Sequence, residues 1–326
     1  MNRRTPKQSN GAFLRQSRGT QDDETGHTGA GHFAKVHLQA LKRMQERVAV
    51  VAYARLSEGR AFAEAEAVGA ECRTREGLLN STDLDALLVC TPNNLHSDYC
   101  LQALQSGKHV FCEKPLALDA KSSDLAIQTA KNRGKTLLVG HLTRHVPIYV
   151  QVAKLISSGR IGAVQVAHLS RLHVRPSSTA DDPRAWRLDP AVGGGVVFDL
   201  LIHDLDLLNW YVGMPESVRA SGLPNASGGF DYLSATFRYE NGAIATVEGG
   251  LVLQPPAGLR STMRLIGTQG HIEAATHDAD APIRVFEQGR PEEIIQVKVR
   301  DTLTDALVSE WKEFLDTIEG RSPERL

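Results

Sequence analysis

Residues 107–116 read GKHVFCEKPL, a short apolar run that ends abruptly in a glutamate, a lysine and a proline. Such a run favours a buried strand, and Pro115 cannot take part in a sheet ladder as a donor. We therefore predict a strand over residues 109–112. Glu113 and Lys114 then follow its carboxyl end, which is where ligands bind in open parallel sheets.

Similar apolar runs alternate with amphipathic stretches through the first half of the chain. The predicted strands cover residues 48–53, 86–90, 109–112 and 136–140, and the predicted helices cover residues 59–68, 97–106 and 120–133. Strands that alternate with helices indicate a parallel sheet with helices on both faces. The sequence thus predicts an α/β fold with an N-terminal Rossmann-type sheet.

A candidate phosphate-binding turn precedes the first predicted helix at residues 29–34, GAGHFA. The first glycine of such a pattern permits a tight turn, and the second lets the backbone approach a pyrophosphate at the start of the helix. We predict cofactor contacts from Gly29, Gly31, His32 and Phe33. A plain loop is the alternative for this stretch.

The segment before these glycines departs from the usual pattern. Residues 22–28 read DDETGHT, and charged side chains are costly in a central strand that is buried on both faces. We therefore expect the first strand to be atypical, shortened or absent. Residues 1–24 are polar, so we expect a disordered tail there, with an organellar targeting peptide as the alternative.

Two loops supply further candidate contacts to a nucleotide. Arg55 follows the second predicted strand, where NAD-specific folds usually place an acidic residue. An arginine there favours the additional phosphate of NADP, so we predict NADP or NAD with NADP preferred, although a surface arginine is the alternative. The loop after residues 86–90 offers polar groups near a nicotinamide from Thr91, Pro92, Asn93 and His96. A polar helix cap is the alternative reading of that loop.

A second group of polar residues follows the glycine run Gly193-Gly194-Gly195. Asp199 and His203 are four positions apart on the predicted helix, so they share one face. Histidine and lysine can be tuned toward neutral pH, which suits proton transfer at an alcohol carbon. A helix-terminal acid with a packed histidine is the alternative interpretation.

Taken together, these motifs resemble the Gfo/Idh/MocA family, which includes glucose-fructose oxidoreductase and inositol dehydrogenase. The likeness runs from about residue 29 to residue 320, and the strand that ends in Glu-Lys-Pro is its most specific sign. The resemblance implies that Lys114 is a catalytic lysine that contacts the reacting hydroxyl and the nicotinamide ribose. It implies that Asp199 and His203 are catalytic residues that also bind the substrate.

Three more contacts are expected around this site. Glu113 is expected beside the cofactor, where it holds Lys114 in place. The pair Trp186-Arg187 resembles a Trp-Arg pair that lies near the cofactor in the family. Arg144, just after a predicted strand, is a candidate substrate contact, with an exposed position at a helix start as the alternative.

The second half of the chain changes to alternating strands, predicted over residues 164–172, 232–239, 243–252, 263–266 and 283–286. This pattern predicts an open, mainly antiparallel sheet in an α+β domain, covered on one face by helices. The expected domains are a tail at 1–24, a dinucleotide-binding domain at 25–142 and a substrate and oligomerisation domain at 143–326. A homo-oligomer follows by analogy with the family.

Composition narrows the class of partner. Thirty-seven basic and 38 acidic residues leave a formal net charge of -1, so no strong field attracts nucleic acid or an anionic membrane. The four cysteines lack the spacing of a zinc site, and we expect buried, reduced thiols in a cytoplasmic protein without a bound metal.

These observations favour an NAD(P)-dependent oxidoreductase that acts on a secondary alcohol of a sugar or cyclitol. The alternative is a catalytically silent protein that senses a nucleotide or a sugar on the same scaffold. A third alternative is a chain that folds poorly.

Overall fold

A computed structural model of the chain describes residues 9–14, 29–54, 69–176, 186, 189–277, 282–297 and 301–321. The chain divides into two compact units. The first unit contains Met1–Gly140 and Leu307–Pro323, and the second is built on His141–Ala306. The expected boundary at residue 142 differs from the observed one by two positions.

The first unit contains a six-stranded sheet in which every pair of neighbours is parallel. The strand order is β3-β2-β1-β4-β5-β6. The strands are β1 (Ser9–Leu14), β2 (Val48–Ala54), β3 (Glu71–Cys72), β4 (Ala86–Val89), β5 (His109–Glu113) and β6 (Leu137–Gly140). The Rossmann-type sheet predicted from the alternating pattern is therefore confirmed.

The central strand β1 comes from a segment that we expected to be disordered. Gly11 pairs with Ala86 of β4, and Leu14 pairs with Ala54 of β2. The expectation of a disordered tail is wrong for these residues, which carry no charged side chain and so suit a strand with neighbours on both sides. The charged segment at residues 22–28, where we expected an atypical first strand, lies outside the described residues.

The helices of this unit end where local sequence signals place their caps. The Asp119 side chain accepts a hydrogen bond from the Ser122 N–H at 2.8 Å, and Gly134 ends the same helix with a φ of 60°. The helices are α1 (Gly29–Lys42), α2 (Arg75–Asn80), α3 (His96–Gln105) and α4 (Ala120–Arg133). The helix predicted over residues 59–68 lies outside the described part of the chain.

The last helix, α7 (Thr302–Ile318), contributes most of its length to the first unit. Trp311 stacks on Phe111 of β5 with ring centroids 4.4 Å apart, and Phe314 meets the edge of Phe111. These aromatic contacts bury large apolar surfaces. The second domain that we expected to run through residue 326 is therefore interrupted at Leu307.

The second unit contains an eight-stranded sheet of order β14-β13-β12-β11-β7-β10-β9-β8. All of its neighbouring strands are antiparallel except β7 and β10. Its strands are β7 (Val164–Val174), β8 (Ser217–Pro224), β9 (Phe230–Arg238), β10 (Ile244–Leu253), β11 (Arg260–Gly267), β12 (Gly270–Ala275), β13 (Ile283–Glu287) and β14 (Glu293–Ile295). The predicted open, mainly antiparallel sheet is confirmed.

Two helices, α5 (Pro147–Ser157) and α6 (Ile202–Tyr211), supply buried residues to the core of this unit. A π-helical turn, Val197–Leu201, leads directly into α6. This turn lies very close to the sheet, because a Cβ atom placed on Gly249 of β10 would be 2.3 Å from Leu201 Cδ2. A glycine at position 249 therefore permits the close approach of the turn to the strand.

Within the described residues, none of the helices combines the length and the apolar character needed to cross a bilayer. The same residues contain no group of three or more His, Cys, Asp or Glu side chains arranged to hold a metal ion. Cys90, Cys100 and Cys112 are buried free thiols, and Cys72 is a partly exposed one. Burial raises the pKa of the Cys112 thiol well above its usual range.

Candidate functional site

The carboxyl edge of the parallel sheet brings two predicted loops to adjacent positions. The strand order runs outward in opposite directions from β1 and β4, and ligands bind at such a switch point in open α/β sheets. The loop Thr91–His96 follows β4, and Glu113 ends the neighbouring strand β5. Lys114, which comes next, is half-buried.

The amino terminus of α1 has the character of an anion site. The helix begins at Gly29, so the stretch predicted as a turn is already helical, and Phe33 lies one turn inside the helix. Gly31 and His32 lie in the first turn, where backbone N–H groups lack partners within the helix. Its first turn contains no acidic residue that would repel a phosphate. These features fit a dinucleotide pyrophosphate. Arg55, the predicted contact to the NADP phosphate, lies outside the described residues.

The loop after β4 is compact and well buried. Thr91 and Asn93 are each 5% exposed, and Pro92 precedes a 3-10 turn, Asn93–Leu95. The Pro92 carbonyl accepts a hydrogen bond from the Leu95 N–H at 3.0 Å. The predicted nucleotide contacts of these residues stay predictions.

His96, a predicted cofactor contact, is buried between two backbone carbonyl groups. Its ring is 1% exposed, with Nδ1 lying 2.6 Å from the Pro115 carbonyl oxygen and Nε2 lying 2.8 Å from the Thr91 carbonyl oxygen. Both ring nitrogens therefore face backbone atoms, and the predicted nucleotide contact of His96 stays a prediction. The ring bridges the segments that follow β4 and β5.

Glu113 is held by a buried chain of hydrogen bonds that our sequence analysis missed. Nε2 of His37 lies 2.7 Å from Oε1 of Glu113, and Nδ1 of the same ring accepts a hydrogen bond from the Trp311 indole N–H at 3.0 Å. Glu113 is 6% exposed and His37 is fully buried. The predicted direct contact of Glu113 with the cofactor stays untested, whereas its contact with His37 is a feature of the folded unit.

Electrostatics keep the Glu113 carboxyl ionised. Burial alone would raise its pKa, but the hydrogen bond with His37 and the positive charge of Lys114 outweigh that effect and lower it. A carboxylate charge is thereby fixed next to Lys114 in the chain.

In the second unit, the predicted glycine run does begin the helical segment with Asp199 and His203. Gly194 and Gly195 adopt φ values of 77° and 66°, which are strained for residues with a Cβ atom. Asp199 is buried within the π-helical turn, and His203 is half-buried in the first turn of α6. Single π-helical turns occur frequently at functional sites.

A buried ion pair fixes α6 to the sheet beside His203, and sequence reasoning missed this pair as well. Arg171 of β7 donates through Nε to Asp204 Oδ2 at 2.6 Å and through Nη2 to Oδ1 at 3.1 Å. Nη2 also donates to the Tyr149 hydroxyl at 2.9 Å. Because Asp204 directly follows His203, this pair limits how α6 can rotate. Burial raises the pKa of Asp204, although the Arg171 charge opposes the shift.

Arg144, the predicted substrate contact, is engaged within its own unit. Its guanidinium forms a bidentate pair with Asp206 of α6, with both bonds at 2.8 Å, and lies over the Trp210 ring. Its substrate contact stays a prediction. The neighbouring His145 is partly buried, and burial together with the Arg144 charge lowers its pKa to about 4.

This shift of His145 predicts that the protein loses stability in mild acid. The folded-state pKa of about 4 lies below the usual 6.5, so the unfolded chain binds the proton more readily between these values. This preferential protonation of the unfolded chain has little effect on stability well above pH 6.5. At pH 5 it lowers the free energy of unfolding by about 2 kcal/mol. Urea unfolding of wild type and His145→Asn at pH 7.5 and pH 5 checks this prediction. The variant should lose about 2 kcal/mol less on acidification, and an equal loss in both proteins would contradict the assignment.

Trp186 and Arg187 form the predicted Trp-Arg pair. Trp186 is half-buried, and its carbonyl accepts a hydrogen bond from the Asp189 N–H at 3.2 Å. Arg187 lies outside the described residues. Their predicted cofactor contacts stay predictions.

Two family profiles match this chain. The profile of an oxidoreductase family with an NAD-binding Rossmann fold matches residues 25–141. The GFO/IDH/MocA C-terminal domain matches residues 149–273. The two matches agree with the parallel and the mainly antiparallel sheets described above.

Similar proteins cover most of the chain. An inositol 2-dehydrogenase of Rhizobium meliloti is 30% identical over 257 residues, which are 76% of this chain and 74% of that protein. A myo-inositol 2-dehydrogenase of Thermotoga maritima is 25% identical over 91% of this chain and 89% of its own length. The structure of a levoglucosan dehydrogenase in complex with NADH and L-sorbose superposes on this chain with a TM-score of 0.83. The two sequences are 21% identical, and the superposition covers 97% of this chain and 91% of that chain.

Proposed function

The chain belongs to the Gfo/Idh/MocA family of oxidoreductases, and we propose that it transfers a hydride between a nicotinamide dinucleotide and a secondary alcohol carbon of a sugar or cyclitol. The position of Lys114 carries this proposal. It lies directly beyond β5 at the ligand-binding edge of a parallel sheet, next to the loop that follows β4. Relatives named as inositol dehydrogenases support the class of substrate.

Each proposed catalytic residue has a role that its chemistry suits. During alcohol oxidation, His203 accepts the hydroxyl proton, while the Lys114 ammonium stabilises the negative charge that develops on the same oxygen. Asp199 orients the His203 imidazole and contacts the substrate. During carbonyl reduction the proton moves in the opposite direction.

The first unit supplies the residues that would hold the nucleotide. Backbone N–H groups at the start of α1 suit the pyrophosphate, and the loop Thr91–His96 suits the nicotinamide side of the site. When bound, the nicotinamide ring supplies the acceptor or donor of the hydride. Arg55 favours NADP over NAD, and this preference stays a prediction.

The outer face of the eight-stranded sheet supports the predicted homo-oligomer. Exposed aliphatic side chains lie side by side on three neighbouring strands at Ile266, Val166 and Ile244. An apolar row on a sheet face is suited to contact with a second copy of the chain. We also still predict that the partner is a small-molecule substrate rather than nucleic acid or a membrane. The cytoplasmic location stays a prediction too.

A panel assay tests the proposed function. Purified protein is incubated with NAD⁺ or NADP⁺ and with myo-inositol, D-xylose, D-glucose or levoglucosan, and the absorbance of the reduced nucleotide is followed against reactions without protein. We expect reduction of at least one nucleotide by at least one polyol. Tight nucleotide binding with no turnover across the panel would contradict the proposal and favour the silent sensor.

A further inference from the structure

Lys114 lies between two residues that buried histidines hold in place. His37 contacts the Glu113 carboxylate, and His96 contacts the Pro115 carbonyl oxygen. We propose that His37 and His96 are positioning residues that hold the Glu113 side chain and the Pro115 backbone on either side of Lys114, and that Trp311 sets the tautomer of His37. This inference rests on the proposed function of Lys114.

The tautomer of His37 follows from its two neighbours. An indole nitrogen only donates, so Nδ1 of His37 must present its lone pair to Trp311. The ring hydrogen is then on Nε2, which donates to the Glu113 carboxylate at 2.7 Å. Because both ring nitrogens are used, the Trp311–His37–Glu113 chain admits one neutral tautomer with all three partners satisfied.

His96 holds the opposite side of Lys114. Its ring joins the Pro115 and Thr91 carbonyl oxygens, so the segment after β5 is tied to the segment after β4. Burial lowers the pKa of His96, while the two carbonyl oxygens and the Glu113 carboxylate oppose that shift. In its neutral form the ring donates one of these two hydrogen bonds, and in its protonated form it donates both.

A small displacement of Lys114 is sufficient to lower the rate. Reacting groups must lie at near-attack distances, and misplacement by about 1 Å can cost ~100-fold in rate. The position of the Glu113 carboxylate matters as well, because its negative charge interacts with the positive charge of Lys114. The two buried residues His37 and Trp311 restrict Glu113 more than the strand end alone would.

A purely structural role for Trp311 is the competing explanation, since its ring also stacks on Phe111. Trp311→Phe keeps an aromatic ring on Phe111 but removes the N–H donor to His37. Phe314→Leu is the matched control, because it weakens packing on the same two rings and leaves the hydrogen-bond chain intact. We expect Trp311→Phe to lower kcat ~10-fold or more with KM little changed. We expect Phe314→Leu to lower the melting temperature while kcat stays near the wild-type value.

Nitrogen-15 NMR of the histidine rings, on protein without nucleotide or substrate, supplies a readout that does not depend on turnover. Wild-type His37 should show the neutral Nε2–H tautomer, and Trp311→Phe should show a mixture of tautomers. A wild-type ring with the hydrogen on Nδ1, or an unchanged tautomer and kcat in Trp311→Phe, would overturn the inference. Failure of the panel assay with the expected NMR result would instead count against the proposed function alone.

Substitutions of His37 test the contact with Glu113 from the other side. His37→Leu leaves a buried carboxylate without its donor, whereas the amide of His37→Gln can still donate to Glu113. We expect kcat to fall in His37→Leu and to recover in part in His37→Gln. If His37→Leu does not fold, the double variant His37→Leu/Glu113→Gln removes the buried charge and should fold with the same low kcat. Wild-type kcat in a folded variant that lacks His37 would refute the positioning role.

His96 requires its own pair of variants. His96→Asn keeps a donor near the Pro115 carbonyl oxygen, and His96→Leu removes it. We expect kcat to fall ~10-fold or more in His96→Leu, with a smaller loss in His96→Asn and nucleotide affinity nearly unchanged in both. Equal kcat in both variants, or a loss of nucleotide affinity that accounts for the whole effect, would contradict the assignment.

Discussion

Lys114→Ala is expected to lower kcat by ~10³-fold or more, because the variant lacks the positive charge that stabilises the substrate oxygen as it becomes an alkoxide. Nucleotide affinity should stay within a few-fold of wild type, since most of the predicted nucleotide contacts come from the start of α1 and the loop after β4. Steady-state kinetics and fluorescence titration with reduced nucleotide measure the two effects separately.

Lys121→Ala is the control for this experiment. Lys121 is an exposed lysine on α4, in the same unit as Lys114. Its removal should leave kcat unchanged. Turnover by Lys114→Ala close to that of Lys121→Ala would eliminate Lys114 as a catalytic residue.

Among the variants considered, Arg171→Met is expected to cause the largest loss of stability. The variant leaves Asp204, which is 2% exposed, without its bidentate partner, and breaking a buried ion pair in this way costs about 3–5 kcal/mol. Because Asp204 follows His203, kcat should fall as well in the fraction that remains folded. Urea unfolding at neutral pH measures the stability change.

The double variant Arg171→Met/Asp204→Leu separates the cost of an unpaired charge from the cost of lost packing. Replacement of both charges by apolar groups can be nearly neutral for stability, so the double variant should recover most of the loss. A double variant as unstable as Arg171→Met would show that packing, rather than the unpaired charge of Asp204, dominates the loss.

Elements with strong local signals were predictable from the sequence. The helix α4 was predicted with the observed bounds from its amphipathic pattern, and Asp119 and Gly134 cap its two ends in the structure. The strand β5 was predicted to within one residue from its apolar run and the proline that follows. In both cases the deciding information lies within a few positions of the element.

Other elements depend on partners that are distant in the sequence. The strand β1 consists of six residues in a polar segment. Its hydrogen-bonded neighbours, β2 and β4, come from later parts of the chain, so its own sequence does not mark it as a strand. The edge strand β8 is exposed along most of its length, so it lacks the alternation that indicates a strand. The parallel pairing of β7 with β10 is invisible in a pattern that marks strands but not their directions.

In the candidate site, too, residues with local sequence signals were predicted and residues with distant partners were missed. Lys114, Asp199 and His203 stand out because ionisable residues follow recognisable strand-end and glycine signals. The supporting contacts were missed, since His37 and Trp311 are 274 positions apart and occupy apolar helix faces that resemble ordinary core. The alternation of side chains along β7 could have indicated a partner for Arg171. Residues two apart on a strand face the same side, so Arg171 shares the buried side with Ala167 and Leu169, where an unpaired charge would be costly.

Transfer of deuterium from substrate to nucleotide tests the central claim most directly. The protein is incubated with oxidised nucleotide and with a polyol from the panel that carries deuterium on the reacting carbon, and the reduced nucleotide is analysed by mass spectrometry and proton NMR. Our account predicts a nucleotide with one deuterium at C4 of the nicotinamide, absent when Lys114→Ala replaces the wild type. Reduced nucleotide without deuterium, or none from wild-type protein that binds the nucleotide, would contradict it.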